Sequence, residues 1–279
     1  MKFRKVLLGA AAILGAVTLA ACSSGSKTEK TSSDKWETYQ TNKSITIGFD
    51  NTFVPMGFEN ESGQNVGFDI ELAEAVFAEY DIKVKWQPIN WDMKETELNN
   101  ETIDLIWNGY SVTKERQEKV LFTDSYMVNE QVLVTKKSSN ITAVDGMSGK
   151  VLGAQAGSAG YSMFEANSEI LKDIVSGNDA TQYSTFTEAL IDLDNGRIDG
   201  LLIDRVYANY YLTEEGILDD YNIIDAGYET DAFAAGARKS DTTLVEKINE
   251  AFKVLYEKGK FQEISEKWFG EDVATENVK

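Results

Sequence analysis

The sequence predicts an α/β protein made of two similar units, and three observations carry that prediction. From Trp36 onward, short strand-like runs alternate with amphipathic helical patterns, the layout of helices packed on a largely parallel sheet. The segment Leu98-Asn99-Asn100-Glu101-Thr102-Ile103-Asp104-Leu105-Ile106 then recurs as Leu193-Asp194-Asn195-Gly196-Arg197-Ile198-Asp199-Gly200-Leu201, matching at Leu, Asn, Ile and Asp. In each copy a helix ends in a polar turn and feeds a strand that begins at Ile-Asp. A second repeat pairs the strand before Asp50 with Val151-Leu152-Gly153-Ala154, each followed by a polar loop and a helix.

The N-terminus reads as a targeting segment. Lys2, Arg4 and Lys5 precede an apolar run from Val6 to Ala20 that is too short and too rich in small residues for a membrane span, so residues 1–21 are expected to be a signal peptide. The run ends in Leu19-Ala20-Ala21-Cys22, which resembles a bacterial lipobox, with Cys22 as the lipidation site. Two acyl chains on one residue suffice for stable anchoring. Residues 22–36 hold the polar stretch Ser23–Lys35 and are expected to form a flexible lipid-anchored tether.

Beyond the tether, Ser44–Phe49 reads as a strand. Asp69 is placed to cap a helix whose apolar positions Ile70, Ala73, Val76, Phe77 and Tyr80 share one face. Ile82–Trp86 alternates as a second strand does. Near the C-terminus Leu244, Ile248, Phe252 and Leu255 keep helical spacing, with Gly259 as the stop. The two prolines, Pro55 and Pro88, fall in loops of this parse.

Composition excludes several chemistries. The chain has 279 residues, no histidine and one cysteine, so Ser-His-Asp and Cys-His catalysis, histidine-based zinc sites and intramolecular disulfides are ruled out. Cleavage before Cys22 removes three of the 27 basic residues and none of the 46 acidic ones, a net charge of −22 that argues against nucleic acid. Asp192-Leu193-Asp194-Asn195-Gly196 resembles the start of a calcium loop, but its Gly comes one place early and Ile203 stands where the last ligand belongs. A helix-ending turn is expected there. No glycine-rich phosphate loop appears, and no cofactor, metal or catalytic residue is expected.

Binding chemistry is better represented. Asn108-Gly109-Tyr110-Ser111-Val112-Thr113-Lys114-Glu115-Arg116 follows the strand Leu105–Trp107, and Thr113 is placed to cap a short helix that carries Arg116 in its first turn. Gly109 admits close backbone approach, Ser111 offers a hydroxyl and Arg116 a bidentate fork, the groups that a carboxylate requires.

These residues resemble the solute-binding proteins of polar amino-acid ABC importers, glutamine-binding proteins included. The likeness runs from about Ser44 to Gly270 through Asp50-Asn51-Thr52-Phe53-Val54-Pro55, Val66-Gly67-Phe68-Asp69-Ile70-Glu71-Leu72, Ser111–Arg116, Phe122-Thr123-Asp124-Ser125-Tyr126 and Lys267-Trp268-Phe269-Gly270. The resemblance implies a two-lobed periplasmic-binding-protein-like fold of type II with two crossovers and the ligand cleft between lobes. Residues 37–129 plus 227–279 would form lobe 1 and residues 130–226 lobe 2. It further implies a monomer on the extracellular face of the membrane, held by the lipid anchor and partnered by an ABC permease.

Carried over position by position, Arg116 would clamp the ligand α-carboxylate, with a backbone contact from Gly109 and a hydroxyl contact from Ser111. Asp204 would pair with the α-ammonium group. Phe53 and Trp91 would wall the ligand stem, Asp50 would meet its polar groups, and Tyr110 would line the same site. Gln155, Gly157, Ser158 and Ala159 would close over the ligand from lobe 2. Glutamine binders have Lys where Gln155 stands and His where Ile203 stands, so the ligand is expected to be a polar amino acid, with glutamine and cystine both open. An enzyme of dehydratase type on the same scaffold, and a surface adhesin or sensor, are the alternatives.

Overall fold

The structure, a computed structural model, describes residues 34–279; the expected signal peptide and Cys22 lie outside the described residues. Two five-stranded sheets organise the chain. The first runs in the order Lys83–Pro88, Ser44–Phe49, Leu105–Ile106, Gly236–Ala237, Leu121–Phe122. The second runs Ala180–Tyr183, Leu152–Gln155, Gly200–Asp204, Gln131–Lys136, Tyr221–Asp225. In each, the first three strands are parallel and the fourth runs against its neighbours on both sides.

The repeat seen in the sequence occupies the same place in both sheets. Asp104 N–H donates to the Thr46 carbonyl at 2.7 Å, and its Oδ2 accepts the Thr46 N–H at 3.1 Å. Asp199 N–H donates to the Val151 carbonyl at 2.8 Å, and its Oδ2 accepts the Val151 N–H at 2.9 Å. A short acid directly before the strand thus satisfies a backbone group beyond the last ladder bond, which explains why Ile-Asp recurs. The strands themselves start one or two residues later than the motif.

The chain passes from the first sheet to the second through Met127–Asn129 and returns through Asp231–Phe233. These crossovers pair antiparallel, Asp231 opposite Asn129 and Phe233 opposite Met127. The helix Phe68–Ala78 buries Leu72, Ala73, Val76 and Phe77 and packs against the C-terminal helices Thr242–Glu257 and Lys260–Phe269. Gly259 separates those two helices at φ +74°, a left-handed conformation suited to glycine. The Asp192–Gly196 segment is the expected helix end, with Asn195 closing the helix Phe186–Asp194 and Gly196 at φ +70°.

Four expectations are corrected. Gly67, not Asp69, stands at the N-cap; Asp69 is inside the first turn, fully buried and bonded to other elements. Tyr80 lies beyond the end of that helix, with its hydroxyl donating to the Lys247 carbonyl. Pro88 ends a strand rather than lying in a loop, tolerated because Lys83–Pro88 is the sheet edge. Residues 34–36 belong to the fold and not to a tether: Asp34 accepts the Thr243 N–H, and Trp36 opens the helix Trp36–Asn42 and packs edge-on against Tyr80.

Arg238 fastens the first sheet to this N-terminal helix. Its Nη1 donates to the carbonyls of Leu98 (3.3 Å) and Ile103 (2.9 Å), and its Nη2 to Tyr39 Oη (2.6 Å) and Asp104 Oδ1 (3.0 Å). Its Nε stands 2.9 Å from Asp241 Oδ2, an ion pair without hydrogen-bond alignment. Arg238 and Asp241 are buried and Asp104 is half-buried, so removing the guanidinium leaves the Asp241 carboxylate and two carbonyls short of a donor and weakens the hold on Asp104. Arg238→Ala is expected to cost about 3–5 kcal/mol of unfolding free energy, read from urea melts; a loss under about 1 kcal/mol would contradict the role.

Candidate ligand-binding site

The loop after Leu105–Ile106 builds one end of the site. Thr113 Oγ1 accepts the Arg116 N–H at 3.2 Å and starts the helix Lys114–Lys119, as its position predicts. The Arg116 side chain is buried. Its Nη1 donates to the Ser111 carbonyl at 3.0 Å, and its guanidinium lies 4.5 Å from the Tyr110 ring centre. Its Nη2 reaches the Gly157 carbonyl at 2.9 Å, a residue of the loop that follows Leu152–Gln155 in the second sheet.

Gly109 and Tyr110 are placed differently from expectation. Gly109 sits at φ +54°, and a Cβ there would come within 2.5 Å of the Phe53 ring, so the position demands glycine. Its N–H is committed to Asp69 Oδ2 at 2.7 Å. The expected backbone contact to a carboxylate is therefore corrected: the carbonyl alone is left, and a carbonyl suits an ammonium. The Tyr110 hydroxyl donates to Glu95 at 2.9 Å while its ring backs Arg116 and stacks on Phe122. Burial pushes that hydroxyl's pKa well up, so it remains a donor. Tyr110 supports the guanidinium. Ser111 is buried and bridged through its backbone to Phe233.

The facing loop comes from the second sheet. Gln155 Nε2 donates to Asp50 Oδ2 at 2.7 Å and to the Ser184 carbonyl at 3.0 Å. Asp50 also accepts from the Thr52 N–H and hydroxyl, and burial raises its pKa above the ordinary value. Gly157 has φ +70°, and a Cβ would lie 2.9 Å from Asp92 Cα. Ser158 Oγ accepts the Tyr161 N–H at 3.1 Å and caps the helix Ala159–Ala166, whose first residue is buried at the same turn. The Ser158 hydroxyl thus has a structural duty of its own.

The opposite charge collects at the crossovers. Asp204 ends the strand Gly200–Asp204 opposite Gln131 and makes no cap bond to the helix that follows. Its Oδ1 accepts from Asn129 Nδ2 and Gln131 Nε2, both at 2.7 Å. The same two amides donate to Asp231, at 2.9 and 3.3 Å. Asn129 and Gln131 are two apart on an extended chain, so both side chains project to one side and gather both acids. Burial, and then the neighbouring Asp231 charge, push the Asp204 carboxyl up to about 7, while Arg116 pulls the other way. Arg116 and Asp204 therefore act on one electrostatic space. Phe53 joins the halves, its ring 5.9 Å from Phe186 and 5.5 Å from Tyr207.

Buried opposite charges, carried by a short helix of one α/β half and a strand end of the other, match one known architecture. The sequence profile of the bacterial extracellular solute-binding proteins, family 3, matches residues 45–271. This chain belongs to that family. Family 3 relatives include the L-cystine-binding protein TcyA of Bacillus subtilis, 27% identical over 97% of this chain and 99% of its own. The arginine-binding extracellular protein ArtP of the same species is 30% identical over 96% of this chain and 98% of its own. An ABC uptake transporter substrate-binding protein from Streptococcus pneumoniae, solved with bound histidine, is 70% identical, with 87% of this chain and 99% of that one covered and a TM-score of 0.87. A polar amino-acid transporter substrate-binding protein from Streptococcus thermophilus is 65% identical over 88% of this chain and 93% of its own, with a TM-score of 0.57. The family's members are substrate-binding proteins of transporters, not enzymes, and their fold is two-lobed.

The structure adds site residues to the sequence-based set. Asn129, Gln131 and Asp231 frame Asp204, and Lys94 and Glu95 lie beside Arg116. Trp91, Lys94 and Leu98 are spaced by three and four, so Lys94 is a cation on an apolar helix face, a signal visible in the sequence. Trp91 is buried edge-on against Tyr110 among Leu98, Ile103, Ile106 and Val120, a packing role, with Lys94 Nζ 5.1 Å above its ring. A separate cavity of about 480 Å³, lined by Val128, Arg205, Tyr210 and Trp268, holds neither Arg116 nor Asp204.

Asp69 gives a pH test of the loop's support. Its Oδ2 accepts from Gly109 N–H and the Tyr126 hydroxyl, and burial raises its pKa from 3.8 to about 7 against these bonds and a weaker pull from Trp107. Between those values the folded protein keeps a proton that the unfolded chain releases, so this group's contribution to stability falls as pH rises through the window and is level above it. Asp69→Asn removes that dependence while keeping an acceptor. The melting temperature of the variant minus that of the wild type is expected to rise by a few degrees from pH 4.5 to 7.5. A difference that stays flat with pH would contradict it.

Proposed function

We propose that the chain captures a free amino acid in the cleft between its lobes and delivers it to a membrane permease. Arg116 takes the ligand α-carboxylate and Asp204 its α-ammonium group, so a zwitterion bridges both halves and favours the closed state. The observation that carries this reading is the burial of these two opposite charges, one on the short helix after the first sheet's strand and one at a strand end of the second sheet, near enough for Arg116 to oppose the rise in the Asp204 pKa. Lobe 1 is assigned to residues 37–129 plus 227–279 and lobe 2 to residues 130–226, with a hinge at the paired crossovers. Two relatives of similar identity, 70% and 65%, superpose with TM-scores as different as 0.87 and 0.57, which supports rigid-body movement of lobes.

The side-chain subsite combines the rings of Phe53, Phe186 and Tyr207 with the Asp50–Gln155 pair. Flat aromatic walls beside an acid suit a planar group that bears N–H donors. Together with the histidine-bound relative, this supports reading histidine as the first ligand to test, ahead of arginine, cystine and glutamine. The lipobox-like Leu19–Cys22 supports a signal peptide of residues 1–21 and a lipid anchor at Cys22, holding a monomer at the outer face of the membrane.

A thermal-shift panel of amino acids tests the reading: a ligand at a hundredfold its dissociation constant adds about 2.7 kcal/mol. Truncating one partner of a buried charged contact costs about 2–5 kcal/mol, so Arg116→Ala is expected to weaken binding roughly thirtyfold or more by calorimetry. Unchanged affinity in that variant, or no shift with any amino acid, would sink the proposal.

A further inference from the structure

Lys94 is a buried cation without a part in the clamp described so far. Its Nζ donates to the carbonyls of Trp91 at 3.1 Å and Gly157 at 2.9 Å and stands 3.4 Å from Glu95 Oε2. The Gly157 oxygen also receives Arg116 Nη2 at 2.9 Å. Two buried cations therefore converge, from the same side, on one uncharged oxygen. Glu95 answers one of the two charges, and its other oxygen holds the Tyr110 hydroxyl.

That balance fits an anion. A peptide carbonyl offers a dipole and one oxygen, whereas a carboxylate offers a full charge and two oxygens, and bonds to ionised groups are roughly twice as strong as neutral ones. With one more negative charge, Lys94, Arg116 and the half-buried Glu95 would reach neutrality, Asp92 nearby being solvent-exposed. The opposite pole, Asp204 with Asp231, has a matching excess of negative charge. Lysine here is not explained by packing, since Trp91 in the preceding turn and Leu98 on the helix are apolar and pack in one cluster.

We propose that Lys94 is a second carboxylate-binding residue of the cleft: with Arg116 it grips the ligand carboxylate in place of the Gly157 carbonyl, and so makes a free carboxylate obligatory. This rests on the amino-acid-binding reading above. A ligand with that group blocked would bring no charge to hold Lys94 in its protonated form beside Arg116, and the charge-assisted bonds to the carboxylate would be lost.

Proton linkage supplies an independent readout. Burial, and then the Arg116 charge, lower the Lys94 pKa to about 7, opposed by Glu95 and Asp92; the Tyr110 hydroxyl and the two carbonyls complete its surroundings. A carboxylate arriving beside Lys94 favours its charged form, so binding at pH 8 takes up a proton. At pH 6 Lys94 is already charged, and Asp204, whose carboxyl is raised to about 7 by burial and Asp231, releases its proton to solvent when an ammonium group arrives beside it. The linked proton is therefore expected to change sign between pH 6 and pH 8.

Titration calorimetry of the whole chain with L-histidine and L-arginine, and with the methyl ester of each, tests this at pH 8 in two buffers of different ionisation enthalpy. Lys94→Met is expected to weaken binding of the free acids roughly thirtyfold or more, and of the esters less than about threefold. Lys94→Arg is expected to keep most of the preference for acid over ester. Wild type is expected to take up a proton on binding the acids at pH 8, and Lys94→Met to take up none. Equal losses for acid and ester would assign Lys94 a merely structural role, and absence of proton uptake by the wild type would overturn the proposal even if Lys94→Met fails to fold. Normal binding by wild type with an unaffected Lys94→Met would reject this proposal alone. No binding of any amino acid by wild type would bring down the reading beneath it as well.

Discussion

The antiparallel pairing of Met127–Asn129 with Asp231–Phe233 is the constraint on which the rest of the structure depends. Both passages between the sheets run through it, so its register fixes how the two halves meet. It sets Asp231 opposite Asn129, and two residues on, the next strand pair sets Asp204 opposite Gln131. A slip of one residue would turn both amides to the other side and leave two buried acids without donors. The ladder thus determines the negative pole of the cleft as well as the connection.

The positive pole is built by other means. It stands on a short capped helix and a loop, where Thr113 orients Arg116, Asp69 grips the Gly109 N–H and Tyr110 lies against the guanidinium. Asp69 and Tyr110 are themselves buried, and Thr113 is half-buried. Burial of unpaired charge is expensive, and the two poles are far more than hydrophobic packing requires. Such an excess is the expected mark of a surface shaped for a charged partner, since stability alone would favour apolar residues at these positions. Arg238 shows the contrast: it is as deeply buried as Arg116, yet its donors end on Asp104, Tyr39 and the carbonyls of Leu98 and Ile103, all in the same half of the molecule.

Much of this was legible in the sequence because it is local. The strand Ser44–Phe49, the cap at Thr113 and the stop at Gly259 follow from short-range chemistry, and the Ile-Asp repeat follows from a bond made twice in equivalent places. Arg116 and Asp204 were accessible through motif and resemblance. What lay beyond reach was set by distant partners. Asp69 has a capping residue's composition and position, but Gly109 and Tyr126, 40 and 57 residues away, claim its carboxylate. Asn129 and Gln131 acquire meaning only when Asp204 and Asp231 arrive from far along the chain. Lys94 did leave a trace, a cation at the spacing of Trp91 and Leu98, but one lysine among so many charged residues is inconspicuous until its burial is known.

The ring of Phe53 packed on the touching pair Phe186 and Tyr207 has a consequence for the resting molecule. Spreading the halves would wet all three faces at once, and full burial of a phenylalanine side chain is worth about 1.5–3 kcal/mol. A bias of that size tilts the empty protein toward its shut form by roughly tenfold to a hundredfold. The aromatic contact would then act as a spring whether or not cargo is aboard. Escape of a trapped solute would be timed by how often those rings part, and a smaller side chain at Phe53 would shorten its stay.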